Sequence, residues 1–306
     1  MLTPLFNKYS NKLKDIKTQH HGDIWHYTSS QGLKGIVEND NIWFSDRRFL
    51  NDKSECSYVY QLIKELLNDG FFMDFDDVFT GWMHFLTQEF TNTDIEHQKQ
   101  DTVLIPCYVA SFSKENDSLS LWNYYTKSQQ HAGYALNFNT EELLKNIKSQ
   151  TENLNYSYTN GIVIYSKEEQ FALLKDLLKE YHQIFVKHKN AQKNFQIEIF
   201  FFEIINLLDI YNLFFKPSSY EVEQEYRFVI ADTNTINNNI TNLKFRIFND
   251  IFIPYIELFN IRKLIKEIKI SPSQNQKLLE NSISIFKNNY KLHNIEISKS
   301  DIPMRY

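Results

Sequence analysis

The hydrophobic and polar positions of this chain alternate between short runs of period two and longer runs of helical spacing. Ile24-Trp-His-Tyr-Thr28 and Ile42-Trp-Phe-Ser45 are β-branched and aromatic and read as short strands. Between them, Thr28-Ser-Ser-Gln31 has capping-box spacing and opens a helix through Val37. A charged, turn-rich stretch from Asp46 to Asp52 feeds a helix near 53–68, with Asp52 as its cap and Glu55 at the third position. Helical spacing of Phe75, Val78, Phe79, Trp82 and Phe85 predicts another over 71–98. Further strands are expected at 103–113, 132–138, 161–165, 218–230, 244–257, 265–270 and 293–297. Further helices are expected at 118–126, 141–147, 168–188, 195–215 and 273–288, and residues 1–20 read as a helical arm.

This order predicts an α+β fold in a single domain over 1–306, its strands shared out along the whole chain. The helical stretch 166–216 behaves as an insertion between two strands of one sheet. Its most apolar part, Phe195 to Phe215, is long enough to span a bilayer. Yet Glu203, Asn206, Asp209 and Asn212 recur every three residues and give one face a polar stripe. An amphipathic, mostly buried helix follows. With no signal-peptide pattern at the N-terminus, a cytoplasmic protein is expected.

Composition narrows the chemistry. The chain is 42% hydrophobic and 23% charged, as expected of a globular rather than a disordered protein. Only seven glycines occur, so neither G-x-G-x-x-G nor the Walker pattern exists, and a nucleotide would be held by side chains and ordinary backbone. A net charge of −5 argues against a protein that coats duplex nucleic acid. Cys56 and Cys107 are isolated and no H-E-x-x-H is present, so neither a disulfide framework nor a metal is expected.

Charge is most concentrated in Ser218-Ser-Tyr-Glu-Val-Glu-Gln-Glu-Tyr-Arg-Phe-Val-Ile230. Read as a strand, it sets Glu221, Glu223, Glu225 and Arg227 on one face, where like charges repel. Two readings stay open: a solvated edge strand with Arg227 bridging Glu225, or a carboxylate held at the lip of a pocket. His26 alone reads as a satisfied core histidine. Ser111 to Tyr125 runs from strand through polar turn into an aromatic helix, capped by Asp117 or Ser118. There Trp122 suits the core, and a neighbouring tyrosine could offer a flat ring to a heteroaromatic ligand.

Taken in order, five pieces resemble the bacterial family known as domain of unknown function 2971. They are His26-Tyr-Thr, Phe49-Leu-Asn-Asp-x-x-Glu55, Phe112-Ser113, Trp122-x-x-Tyr125 with His131-x-Gly133, and Glu223-x-Glu225-x-Arg227. The resemblance runs from about Ile24 to Ile270. That family in turn resembles a distant branch of the ADP-ribosyltransferases of the His-Tyr-Glu class. The resemblance implies a split, mixed or antiparallel sheet holding NAD as substrate, with no metal. It implies that His26 bonds a ribose hydroxyl, that Tyr125 (or Tyr124) stacks on nicotinamide, and that Ser113 shapes the floor. Glu225, with Glu223 as the other candidate, would be the catalytic carboxylate, and Arg227 its counter-ion. Tyr27, Thr28, Trp122, Asn51 and Asp52 complete the implied cofactor-binding set. The implied activity is ADP-ribosyl transfer to an unknown protein or nucleic acid, or NAD cleavage, in a bacterial toxin or phage-defence effector. The alternative is an inactive nucleotide-sensing or protein-binding module with a cognate defence or antitoxin partner.

Overall fold

Strand β1 (Asp23–Ser29) runs straight into helix α1 (Ser30–Asn39), and the chain returns as β2 (Asn41–Asp46). Asp40 makes this reversal in the left-handed region, at φ 53°. The computed structural model describes Lys8 and residues 11–14, 20–50, 52, 54–91, 106–125, 132–154, 156–191, 196–231, 243–273 and 275–303. Helices α2 (Tyr58–Asn68) and α3 (Asp77–Thr91) come next, then β3 (Cys107–Ser113), the short α4 (Leu119–Tyr125) and β4 (Gly133–Asn139). After α5 (Thr140–Leu154) and β5 (Ser157–Ile162) come the long α6 (Lys167–Asn190) and α7 (Ile197–Asn212). The chain then forms β6 (Glu225–Ala231), β7 (Lys244–Phe248), β8 (Ile251–Phe259), β9 (Ile265–Ile270), α8 (Gln276–Asn289) and β10 (Glu296–Lys299).

The fold is mixed α+β. Its described strands form one mixed sheet in the order β10-β9-β4-β1-β3-β2-β8-β7, with β6 and β5 leaving the path at β3. Among the described strands, β10 against β9 is the one parallel pair. Strand β3 is where the sheet forks. Strand β6 pairs with it along all of 107–113, whereas β1 meets it at Ser113 and β2 at Tyr108 and Val109. Since β6 fills one edge, β1 and β2 must share the other and diverge from it.

Several boundaries differ from expectation. The cap of α1 is Ser29 rather than Thr28, since the helix begins at Ser30 and the Ser29 hydroxyl accepts from the Gly32 N–H at 3.1 Å. Asp52 does not cap a helix directly. Its Oδ1 accepts from the N–H and hydroxyl of Ser54 and shapes a turn ahead of α2. The strand expected at 161–165 ends at Ile162, and Ile164 makes one isolated bridge to Phe215. Most of the 1–20 arm and residues 92–98 lie outside the described residues.

The chain divides into two compact units. The helical unit comprises Met1–Thr18, Leu50–Leu104 and Val163–Tyr220. Its core packs Phe79, Met83, Leu174, Leu177, Phe200 and Ile204, with Trp82 stacked on Phe201 at 4.4 Å. The polar stripe of α7 is not solvated throughout. Asp209 and Asn212 are buried, and Asn212 accepts from the Val59 N–H and donates to the Cys56 carbonyl. Buried amides that satisfy backbone in this way fix one segment against another. No described helix is long and apolar enough to cross a membrane.

The sheet unit comprises Gln19–Phe49, Ile105–Ile162 and Glu221–Tyr306. One sheet face carries Ile24, Phe112, Leu136, Phe138, Tyr226 and Phe228 beneath apolar residues of α1, α5 and α8. The other face carries Trp25, Tyr27 and Ala135 against Leu121 and Trp122 of α4. Position parity along each strand therefore decides which candidate residues can meet.

Candidate functional site

The register across β1, β3 and β6 sets Trp25 opposite Ser113 and Ser113 opposite Glu225, with Ser111 opposite Arg227. Directly paired residues share a face, so these five side chains line the face that also carries Tyr27 and α4. Glu225 and Arg227 are both buried, at 4% and 1% exposure. Their pairing is bidentate, with Arg227 Nε to Oε1 at 2.7 Å and Nη2 to Oε2 at 2.9 Å. Such a fork-on-carboxylate contact fixes direction as well as charge.

The overcharged strand face expected over 218–230 does not form. Residues Ser218–Glu223 make a 3-10 turn, and Gln224 leaves it with φ 42° before β6 begins at Glu225. Glu221 is exposed, and Glu223 sits half-buried within the turn rather than on the strand. Nor is β6 a solvated edge, because β3 pairs with one side of it and β5 with the other. Only Glu225 and Arg227 keep the expected common face.

Ser113 locks this arrangement. Its hydroxyl donates to the Glu223 carbonyl at 2.7 Å and accepts from the Glu115 N–H at 3.0 Å. The Lys114 N–H adds a bond to the Gln224 carbonyl. The Tyr27 hydroxyl does the same for the next turn, donating to the Glu115 carbonyl and accepting from the Ser118 N–H. Burial pushes that phenol well above its ordinary pKa. Trp122 packs edge-on to Tyr27 at 4.7 Å and donates through Nε1 to Asp117 at 2.7 Å. Tyr125 lies half-buried, its ring stacked 6.2 Å from Tyr27, while Tyr124 is 53% exposed. Lys269 Nζ stands 5.1 Å above the Trp25 ring.

His26 lies on the opposite face. Its ring packs against Phe112 at 5.3 Å, and its Nδ1–H donates to the Ser111 carbonyl at 3.1 Å. A carbonyl only accepts, so the proton sits on Nδ1 and Nε2 is the basic nitrogen. Burial lowers the imidazole pKa below its ordinary value, outweighing the bond to Ser111. That bond also explains the position. Ser111 lies in the gap between β1 and β2, where no strand reaches its carbonyl. Thr28 shares this face and lies under α1, so close that a Cβ at Gly32 would fall 2.0 Å from its hydroxyl.

The structure thus gathers Tyr27, Ser113, Trp122, Tyr125, Glu225 and Arg227 on one face and sets His26 and Thr28 on the other. Asp52 belongs to the helical unit, and Asn51 lies outside the described residues. Sequence reasoning passed over Trp25, Ser111 and Lys269, and read Asp117 only as a candidate helix cap rather than as the acceptor of Trp122. Trp25 had a visible signal, since it shares parity with Tyr27 and not with His26. No described group of three or more His, Cys, Asp and Glu residues could hold a metal ion.

The family described as "Protein of unknown function (DUF2971)" matches residues 121–228, which include Trp122, Tyr125, Glu223, Glu225 and Arg227. No curated protein and no solved structure matches the chain.

Proposed function

We propose that the Glu225 face of the fork is the nicotinamide-ribose site of an NAD-using enzyme, an ADP-ribosyltransferase or NAD glycohydrolase. The observation that carries this reading is the buried carboxylate of Glu225, held at two oxygens by Arg227 in one row with Ser113 and Trp25. Cleaving the glycosidic C–N bond sends its electron pair to the nicotinamide nitrogen and leaves positive charge on the ribose carbon. A nucleophile from the acceptor, or water, then takes that carbon and gives up its proton. A carboxylate fixed beforehand in a dry site stabilises such charge without reorganising. Arg227 holds Glu225 in a fixed direction, and Tyr125 or Trp25 supplies a ring for nicotinamide. His26 acts in this scheme as a positioning residue through the β3 backbone. The resemblance in the sequence adds a role as a toxin or phage-defence effector acting on a macromolecule.

Incubation with NAD and a cell lysate should release nicotinamide, and Glu225→Gln should abolish the release while the protein stays folded. Release that persists undiminished in Glu225→Gln would refute the assignment.

A second reading is a nucleotide-sensing module without turnover. It draws support from the same ion pair, because a carboxylate 4% exposed and neutralised by Arg227 has little charge left to lend. This reading expects calorimetric binding of NAD or a related nucleotide with no nicotinamide formed.

A further inference from the structure

At the other end of the sheet, β7 and β8 are joined by Asn249 and Asp250, both in the left-handed region at φ 49° and 63°. This is the backbone of a tight two-residue hairpin turn. In such a hairpin the flanking pair, Phe248 and Ile251, exchanges both backbone bonds, and alternate pairs back to Arg246–Ile253 and Lys244–Tyr255 do likewise. The N–H and C=O groups of Phe245 and Ile247 therefore point away from β8. Strand β7 ends the sheet path, so among the described residues nothing pairs with that edge.

The two faces of this edge differ along its middle, although Phe248 and Ile251 at the turn are exposed on the Arg246 face. On one, Phe245, Ile247 and Phe252 are 56%, 67% and 65% exposed. On the other, Lys244 is neutralised by Glu257 at 2.5 Å, but Arg246 meets no carboxylate among the described residues. Arg246 is half-buried and makes one long bond, Nη2 to the Ser45 hydroxyl at 3.3 Å. Its Nε is buried with no acceptor. Burial works against its charge, and Tyr255 beside it offsets that only in part.

We propose that β7 is a docking edge for an extended segment of another protein whose residues alternate between acidic and apolar. Added beside β7, such a strand satisfies the outward backbone groups of Phe245 and Ile247. Its parity places a carboxylate opposite Arg246 on one face and apolar side chains over Phe245 and Ile247 on the other. A second copy of the chain fits poorly. The antiparallel register that pairs all five β7 residues sets Arg246 against its own symmetry mate, and like charges directly opposite destabilise a strand pair.

The test is titration calorimetry of the full chain with a blocked peptide of about nine residues alternating glutamate and valine. A matched peptide carries lysine in place of glutamate. The glutamate peptide is expected to bind with a Kd below about 1 mM and the lysine peptide at least about tenfold more weakly. Ile247→Pro removes one outward N–H without touching the β8 ladder and should weaken binding by about tenfold or more. Arg246→Gln should weaken it similarly while keeping the edge. Four results would overturn the proposal: no binding up to about 1 mM, equal binding of the lysine peptide, or binding unaffected by either variant. The fourth is a dimer of the unmodified protein that Ile247→Pro dissolves.

Discussion

The two faces of the sheet at its fork use the same strands for different ends. On the His26 face, side chains from β1, β3, β4 and β6 are, Thr28 apart, apolar or aromatic and lie under α1, α5 and α8. On the Glu225 face, the same strands bring a buried ion pair, two serines and a tryptophan into two adjacent cross-strand rows. The first face is held by packing, where errors cost volume. The second is held by directed bonds, where errors leave charges and donors unpaired. A titratable residue on the first face is therefore best explained by the backbone it satisfies, and one on the second by the chemistry it can present.

Substitutions should separate the two faces by size and kind of effect. The largest loss is expected for Arg227→Met, which removes the two-point contact to the buried Glu225 carboxylate and should cost about 3–5 kcal/mol in denaturant unfolding. A loss under 1 kcal/mol would show that water reaches the pair. Next comes Gly32→Ala on the His26 face, where the added methyl meets the Thr28 hydroxyl. Overpacking of this kind costs about 1–3 kcal/mol, and Thr28→Ala in the same chain should recover much of it. Trp122→Phe keeps an aromatic ring against Tyr27 but removes the bond to Asp117 and part of a buried indole. It should cost about 1–2 kcal/mol, read as a fall in Tm.

The last effect is the pH dependence of His26. Its folded pKa lies below the ordinary 6.5, chiefly through burial, so below pH 6.5 the unfolded chain binds a proton that the folded chain does not. Stability is then full above about 6.5 and declines as pH falls from there toward the folded pKa, by at most about 1.4 kcal/mol per pH unit. His182, in the helical unit, is shifted the same way by burial and accepts from the Asp76 N–H. His26→Gln should therefore flatten the slope in part, and an unchanged slope would remove His26 from the account.

Much of the fold was written in local pattern. Strands β1 and β2 follow from β-branched and aromatic runs, and α6 from its leucine and phenylalanine spacing. Residues 218–223 misled because Glu-x-Glu imitates strand alternation, whereas Gln224 takes a left-handed backbone that no local pattern announces. The α7 stripe misled in part because Asn212 is spent on the backbone of Cys56 and Val59, more than a hundred residues earlier in the chain. At the site, the pairing of Glu225 with Arg227 was legible from their spacing. Its setting was not. That His26 faces away from Glu225 depends on a register across β1, β3 and β6, which links residues far apart in sequence. Only parity within Ile24-Trp-His-Tyr-Thr28 hinted that Trp25 and Tyr27 keep company without His26.

The most direct test is a crystal structure of Glu225→Gln grown with NAD, since that variant should bind the dinucleotide without consuming it. The account predicts the nicotinamide ribose beside position 225, with the base against Trp25 or Tyr125 and His26 still bonded to the Ser111 carbonyl. Dinucleotide on the opposite face in contact with His26, or excluded from both faces, would contradict it.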